Sequence, residues 1–475
     1  MQKTWANYGI DLYLDLTGAR VRAGLEAALR DAVRTGRLPS GIRLPSSRDL
    51  AADLGIARNT VAAAYGQLVA EGWLEARTGS GTWVTARPLP AARLADQPVA
   101  DQRGPRYDLR PGVPAVSAFP RRQWLAAARG ALGAAGDDVL GYPDPRGVPE
   151  LRVALAGYLA RARGVIVAPE NVIVCAGFTH GLALICQVLH RRGAVAVATE
   201  AYGHLLHRRI IQAQGLTAVP VPVDDDGAIP EALGPGAAGA TGATGAAGAV
   251  LLTPAHQYPL GVTLAPGRRT AFVRWAAESG GLVIEDDYDG EFRFDRQPVG
   301  AMQALAPEHV VYAGTASKSL APGLRLGWLV VPGSMTDEVI DAREGSGAAN
   351  GVLDQLTLAA LIRSGGYDRQ IRQSRLLYRR RRDRLISALR REAPEVRLTG
   401  IAAGLHALAE LPPRETEAGV IARAASHAVA IEGLGGYTAA GYERGPALVV
   451  GYARPAEHAF TTAVSRLCAA LAEPE

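Results

Sequence analysis

Lysine is almost missing from this chain of 475 residues: it occurs only at Lys3 and Lys318, so 49 of the 51 basic side chains are arginine. Cysteine is nearly as scarce. Cys175, Cys186 and Cys468 are widely spaced in apolar surroundings, which excludes a disulfide framework and offers none of the paired spacings of a metal site. Long hydrophobic runs are absent too: Ala194–Ala198 and Leu448–Val450 have the length of buried strands, far short of a membrane span. The start, MQKTWANYGI, has neither the basic head nor the apolar core of an export signal, so a cytoplasmic protein without membrane contact is expected. His204 and His207 are spaced for one helix face, but no third ligand accompanies them and no metal is expected.

What is present starts with length. A chain of this size exceeds one ordinary domain and, at 48% hydrophobic residues, has ample core for two or three. Its formal net charge of +5 permits a nucleic-acid partner and says nothing about fold.

From Arg20, the residues Val21, Leu25, Ala28, Leu29, Ala32 and Val33 have helical spacing, and Thr35-Gly36 ends the pattern. Pro45-Ser46-Ser47 then offers a hydroxyl cap for a short helix over Arg48–Leu54, and Gly55 turns the chain. A second helix is predicted from about Ala57 to Ala70, buried through Val61, Ala64, Tyr65, Leu68 and Val69. Trp73–Ala76 and Thr82–Thr85 flank Arg77-Thr78-Gly79-Ser80-Gly81 as a hairpin. A helix, a helix-turn-helix and a hairpin wing form a winged DNA-binding module, with Arg58, Asn59 and Thr60 suited to base edges and phosphates at the start of its second short helix.

The organisation expected is therefore a winged helix-turn-helix domain over residues 1–86, a Pro/Ala/Arg-rich linker over 87–107, and a second domain over 108–475. In that domain strand-like runs at Val172–Cys175, Ala194–Ala198, Val219–Val223, Ala249–Leu252, Leu282–Ile284 and Val310–Tyr312 alternate with helical patterns, which predicts an α/β fold with a mainly parallel sheet and a smaller α+β subdomain at the end. The stretch GPGAAGATGATGAAG, 234–248, reads as a surface insertion. Helical tracts follow at Leu353–Ile362 and, rich in arginine, at Arg369–Arg384.

Lys318 lies after Val310–Tyr312 in the turn Gly314-Thr315-Ala316-Ser317-Lys318-Ser319-Leu320. A guanidinium stays protonated and cannot attack a carbonyl, whereas an amine can, so Lys318 is the candidate for a Schiff base with an aldehyde. Pyridoxal phosphate (PLP) has that aldehyde, and it also needs an anion at its ring nitrogen, a hydrogen bond at its phenolic oxygen and a phosphate cradle. The cluster Glu285-Asp286-Asp287-Tyr288-Asp289, after the run Leu282–Ile284, supplies a carboxylate and a hydroxyl. Gly177, Phe178 and Thr179 open a helix after Val172–Cys175 and offer a phosphate seat, which Thr315, Ser317 and Arg325 would complete. Tyr202 is placed to stack on the ring.

Two resemblances follow from these motifs. Arg20–Val84 resembles the winged helix-turn-helix of the GntR family of bacterial regulators through Gly41-Ile42-Arg43-Leu44-Pro45-Ser46-Ser47-Arg48, Arg58-Asn59-Thr60-Val61 and Gly79-Ser80-Gly81-Thr82. That likeness implies that Arg43, Ser47, Arg48, Arg58, Asn59, Thr60 and the wing residues Gly79, Ser80, Gly81 and Thr82 face double-stranded DNA. From about Asp108 onward the chain resembles fold-type I aminotransferases, and as a whole it resembles the MocR (GabR-like) subfamily, through Gly141–Gly147, His256-Gln257-Tyr258-Pro259-Leu260-Gly261, Glu285–Phe292 and Ser317–Leu320. The resemblance implies a transcription regulator sensing PLP or an amino compound, with Lys318 bonded to PLP, Asp286 at the ring nitrogen, Tyr288 at the phenolic oxygen and Arg325 with Thr315 or Ser317 at the phosphate. It also implies a head-to-tail homodimer in which Tyr142 reaches the partner's phosphate site; an active aminotransferase carrying a DNA reader is the alternative. Two departures stand out: Tyr258 sits where catalytic relatives place an Asn, and the strand Ala447–Tyr452 is apolar where they carry an Arg for the substrate carboxylate, with Arg454 displaced beyond it.

Overall fold

The computed structural model of the chain describes residues 21–85, 105–233, 247–294 and 299–472. Most of the expected linker and of the 234–248 insertion lies outside these residues. The chain divides into two compact units between residues 102 and 103.

In the first unit, helix α1 (Val21–Arg34) buries Leu25, Leu29, Ala32 and Val33 on one face. Ser46 caps α2 (Ser47–Leu54): its hydroxyl accepts the Asp49 N–H at 3.2 Å and donates to the Asp49 carboxylate at 2.8 Å, so the helix starts one residue before the predicted Arg48. Gly55 ends α2 at φ 64°, a conformation that costs other residues a steric penalty. Helix α3 (Arg58–Ala70) buries Val61, Ala64, Tyr65 and Leu68 in a core shared with α1 and α2. Strands β1 (Leu74–Arg77) and β2 (Gly81–Val84) pair antiparallel as the wing, and Arg43 bridges to Trp83 along its edge.

The second unit is built on one seven-stranded sheet. Its strands are β3 (Val172–Cys175), β4 (Ala196–Glu200), β5 (Thr217–Val221), β6 (Ala249–Leu252), β7 (Leu282–Asp286), β8 (Val310–Thr315) and β9 (Gly327–Val330), in the order β3-β9-β8-β7-β6-β4-β5. All neighbours are parallel except β9, which runs against β8 and β3. The period of two sorts side chains between the faces: Val172 and Val174 join the core that contains α5 (Pro149–Arg163), while Ile173 and Cys175 join that of α6 (Phe178–Arg191). Two strands are displaced from expectation. Val195 is exposed and outside β4, which instead runs on to Glu200; β5 stops at Val221, and Val223 begins a separate hairpin. A smaller antiparallel sheet, β10 (Arg397–Thr399), β11 (His406–Glu410), β12 (Glu432–Gly433) and β13 (Ala447–Gly451), forms the subdomain toward the end.

The end of β7 is tied down by a buried ion pair. Arg163, the last residue of α5, donates through Nε and Nη2 to the two Asp287 oxygens at 2.6 and 3.0 Å, and the Tyr312 hydroxyl adds a third bond at 2.7 Å. Burial alone would push Arg163 down, but Asp287 more than reverses it. Removing Arg163 leaves the buried Asp287 charge with the neutral Tyr312 hydroxyl and no counter-ion, so Arg163→Met lowers unfolding stability by about 3–5 kcal/mol in urea titrations.

Candidate active site and DNA-facing surface

Parallel strands β7 and β8 end side by side, which sets Asp286 and Thr315 at one rim of the sheet. A cavity of about 250 Å³ opens there. Ten predicted residues line it: Lys318, Asp286, Tyr288, Arg325, Thr315, Ser317, Gly177, Phe178, Thr179 and Tyr202. Tyr142 does not; it stands fully exposed elsewhere on the unit.

Lys318 donates to the Gly112 carbonyl at 2.5 Å. Burial pulls its pKa below the ordinary lysine value, opposed by the carboxylates of Asp286 and Asp289. Asp286 is buried, and its Oδ1 has no hydrogen-bond partner. Burial pushes its carboxyl well up, Lys318 pulls it down, and Asp287 and Asp289 push it up further. The Tyr288 hydroxyl donates to the His256 carbonyl at 3.0 Å and lies 3.1 Å from His256 Nδ1, which is held by Asp289 at 2.8 Å. His406 joins this buried cluster, its Nε2 3.2 Å from the Pro259 carbonyl.

Opposite, Gly177 caps α6 at φ 84°, and β9 passes so close that a Cβ on Gly327 would meet Gly177 Cα at 2.8 Å. Arg325, itself left-handed at φ 52°, extends over this helix start with Nη2 3.5 Å from the Thr179 hydroxyl. Asn350 holds the Arg325 carbonyl at 2.8 Å. Thr315 accepts the Ser317 N–H at 3.1 Å and donates to its hydroxyl at 2.8 Å. A helix start, two hydroxyls and a guanidinium make a seat for one phosphate.

These residues fit PLP on two counts. The unpartnered Asp286 oxygen is a buried acceptor that lacks a cation, as a protonated ring nitrogen would supply, and the anion seat lies across the same cavity from the Lys318 amine.

Sequence reading missed other parts of the wall. Glu200, at the end of β4, accepts from Thr253 N–H and Oγ1 at 3.2 and 2.6 Å and from Gln257 at 3.2 Å. His204 stacks on Tyr258 at 4.4 Å between ring centroids. Burial and the Lys318 charge hold His204 at about 4; burial, His204 and Lys318 hold His207 at about 3. Tyr202 lines the cavity with its hydroxyl turned to the Glu443 carbonyl at 3.3 Å.

On the first unit, Arg43, Arg48, Arg58, Asn59 and the wing residues Gly79, Ser80 and Gly81 are exposed, while Ser47, Thr60 and Thr82 are half-buried. Arg58 and Asn59 begin α3, and Arg43 lies against Gly81 at the wing.

The fold and cavity define a fold-type I PLP domain joined to a winged helix-turn-helix. Residues 115–433 match the aminotransferase class I and II family and residues 22–84 the gntR family of bacterial regulatory proteins. The chain is 34% identical over 81% of its length, and 82% of the relative's, to the HTH-type pyridoxine biosynthesis transcriptional regulator PdxR of Corynebacterium glutamicum. It is 33% identical over 76% of both chains to the probable rhizopine catabolism regulatory protein MocR of Rhizobium meliloti. Among solved structures, the α-aminoadipate aminotransferase LysN of Thermus thermophilus matches with a TM-score of 0.67 at 26% identity, covering 77% of this chain and 91% of that one. The chain belongs to the MocR subfamily of GntR-type transcription regulators, whose second domain is an aminotransferase-type, PLP-binding fold. Among the described residues no helix is long and apolar enough to cross a membrane.

Glu200 gives the cavity a pH signature. Burial pushes its carboxyl up to about 7, against hydrogen bonds from Thr253 and Gln257 that favour the anion. Between about 4.5 and 7 the folded chain keeps a proton that the unfolded chain has released, so stability falls as pH rises through that window. Glu200→Gln removes about 1.4 kcal/mol per pH unit of that fall, measured by urea unfolding of the cofactor-free protein at pH 5 and 7.

Proposed function

We propose that this chain is a cytoplasmic transcription regulator that reads operator DNA through Arg58, Asn59 and the wing and senses PLP itself through the cavity at the ends of β7 and β8. The observation that carries the effector reading is the supply of cations around that cavity. Arg325 stands over the α6 start, and Arg208 is committed to the carbonyls of Glu200 and Ala201 at 3.1 and 2.7 Å. Val449 packs in an apolar cluster with Tyr258 and Tyr437, and Arg454 is paired with Asp108 at 3.0 Å. One phosphate finds a fixed guanidinium; a second anion, such as an amino-acid carboxylate, does not.

When bound, PLP supplies an electrophilic aldehyde on an electron-poor ring. Lys318 contributes an amine whose lowered pKa raises its unprotonated, nucleophilic fraction. With PLP bound, Asp286 would hold a proton at the ring nitrogen, Tyr288 would offer the phenolic oxygen the hydroxyl it otherwise donates to His256, Arg325 with the α6 start, Thr315 and Ser317 would anchor the phosphate, and Tyr202 would cover the ring. The similarity to a regulator named for pyridoxine biosynthesis supports an effector of that vitamer class.

A second reading, residual transamination with an amino-compound effector, is favoured by the complete set of Lys318, Asp286, Tyr288 and Arg325. Turnover with a keto-acid acceptor would select it. Pairing into a head-to-tail homodimer is supported by apolar side chains left in water on and after α4 (Arg121–Ala134): Leu125, Leu132 and Leu140 are each at least half exposed, and Tyr142 follows them.

Absorbance spectroscopy tests the site. Wild-type protein gains a visible band on addition of PLP and changes its operator affinity; Lys318→Ala does neither. Asp286→Asn weakens PLP binding about ten- to a hundred-fold, as expected for a charge-assisted bond of about 1.5–3 kcal/mol. Arg58→Ala lowers operator affinity by about 1–3 kcal/mol in fluorescence anisotropy and leaves the visible band unchanged.

A further inference from the structure

We propose that the exposed arginine face of α7 (Gly366–Glu392) is a second DNA contact, engaging the phosphate backbone beside the operator. The inference rests on the DNA-binding reading above and adds a surface from the second unit to it.

Three features of the helix carry the argument. Between Arg369 and Arg391 there are ten arginines and one acidic residue, Asp383. Some of them are used internally: buried Arg381 is paired with Glu457 at 2.8 Å, and exposed Arg375 donates to the Glu291 carbonyl at 2.6 Å. Arg369, Arg372, Arg379, Arg380 and Arg390 are all exposed, and among the described residues none makes a side-chain hydrogen bond or ion pair. An ordinary solvated helix intersperses acids so that charges three and four residues apart compensate; here Asp383, beside Arg379 and Arg380, is the one acid that does so between Arg369 and Arg391, and the other charged neighbours are arginines.

Geometry selects the partner. At 100° per residue, positions 369, 372, 379, 380 and 390 fall on one side of the helix, and its 27 residues extend about 40 Å, close to one turn of duplex DNA at about 34–36 Å. Between Arg372 and Arg379 the helix borders a groove of about 560 Å³ whose opposite wall carries Arg293. A duplex backbone offers a line of fixed phosphates, and the guanidiniums ranged along this side of the helix bind phosphate as planar forks.

The test uses full-length protein with PLP bound and two duplexes carrying the same operator, one about 20 and one about 60 base pairs long, titrated between 50 and 200 mM salt. On the long duplex, Arg372→Gln/Arg379→Gln/Arg380→Gln lowers the slope of log affinity against log salt by about 2.7, at about 0.9 per released counterion, and the matching triple lysine variant restores it. On the short duplex both variants match wild type. An unchanged slope on the long duplex overturns the proposal, as does loss of the dimer in the glutamine variant by light scattering, which would assign the face to a subunit interface. Failure of wild type to bind either duplex would instead sink the DNA-binding reading, and this one with it.

Discussion

Three carboxylates within four residues, Asp286, Asp287 and Asp289, are buried together at the end of β7, and the second unit is arranged around making that tolerable. Each has a different answer. Asp287 takes the buried guanidinium of Arg163 and the Tyr312 hydroxyl; Asp289 takes His256. Asp286 and Asp289 each keep one oxygen without a hydrogen-bond partner, but of the two only Asp286 lines the cavity. Because buried ionised groups need partners, the other two pairings fix the strand end while the third remains open to a ligand cation. Arg163 thereby ties α5 to the sheet, and His256 ties the loop after β6 to Tyr288. Cofactor chemistry and fold integrity share one stretch of backbone.

The opposite wall depends on the absence of side chains. Antiparallel β9 is drawn against Gly177, and a Cβ on Gly314 would lie 2.3 Å from the Trp328 indole nitrogen. Glycine at 177, 314 and 327 lets the α6 start, the end of β8 and the turn bearing Arg325 converge on one anion-sized space. The left-handed Arg325 is the cost of that convergence: a bulky side chain in that region is strained unless its surroundings hold it, and Asn350 holds its carbonyl.

How much of this was legible in the sequence depended on whether the signal was local. Strands Val172–Cys175 and Ala249–Leu252 were readable to the residue because apolar runs between polar or glycine stops leave one solution. Strand Gly327–Val330 contains a similar apolar run, Trp328-Leu329-Val330, but its antiparallel place between β3 and β8 depends on pairings distant in sequence. Lys318, Asp286 and Tyr288 stood out as rare or clustered types at strand ends. Glu200 did not, because one acid after a strand has no distinguishing pattern until Thr253 and Gln257 are folded onto it. The Gly112 carbonyl was beyond reach in principle: a backbone atom 206 residues from Lys318 leaves no trace in residue identity.

The histidines around the cavity decide what charge it can accept. A wall containing His204, His207 and His406 looks cationic in sequence, yet burial keeps all three below the ordinary imidazole value, and the Lys318 charge adds to each. At neutral pH they are uncharged rings, so His204 stacked on Tyr258 offers an aromatic face to a ligand and no counter-charge to a carboxylate. The near-replacement of lysine by arginine sharpens the same point. Guanidiniums that cannot lose a proton were placed where fixed charge is useful, over the α6 start and along α7, while the cavity centre kept the one amine whose charge its surroundings can tune. A ligand with one phosphate, one aldehyde and one basic ring nitrogen would find a partner for each of these groups there; a ligand adding a second anion would find neutral rings and Arg208, whose Nη2 already serves two carbonyls.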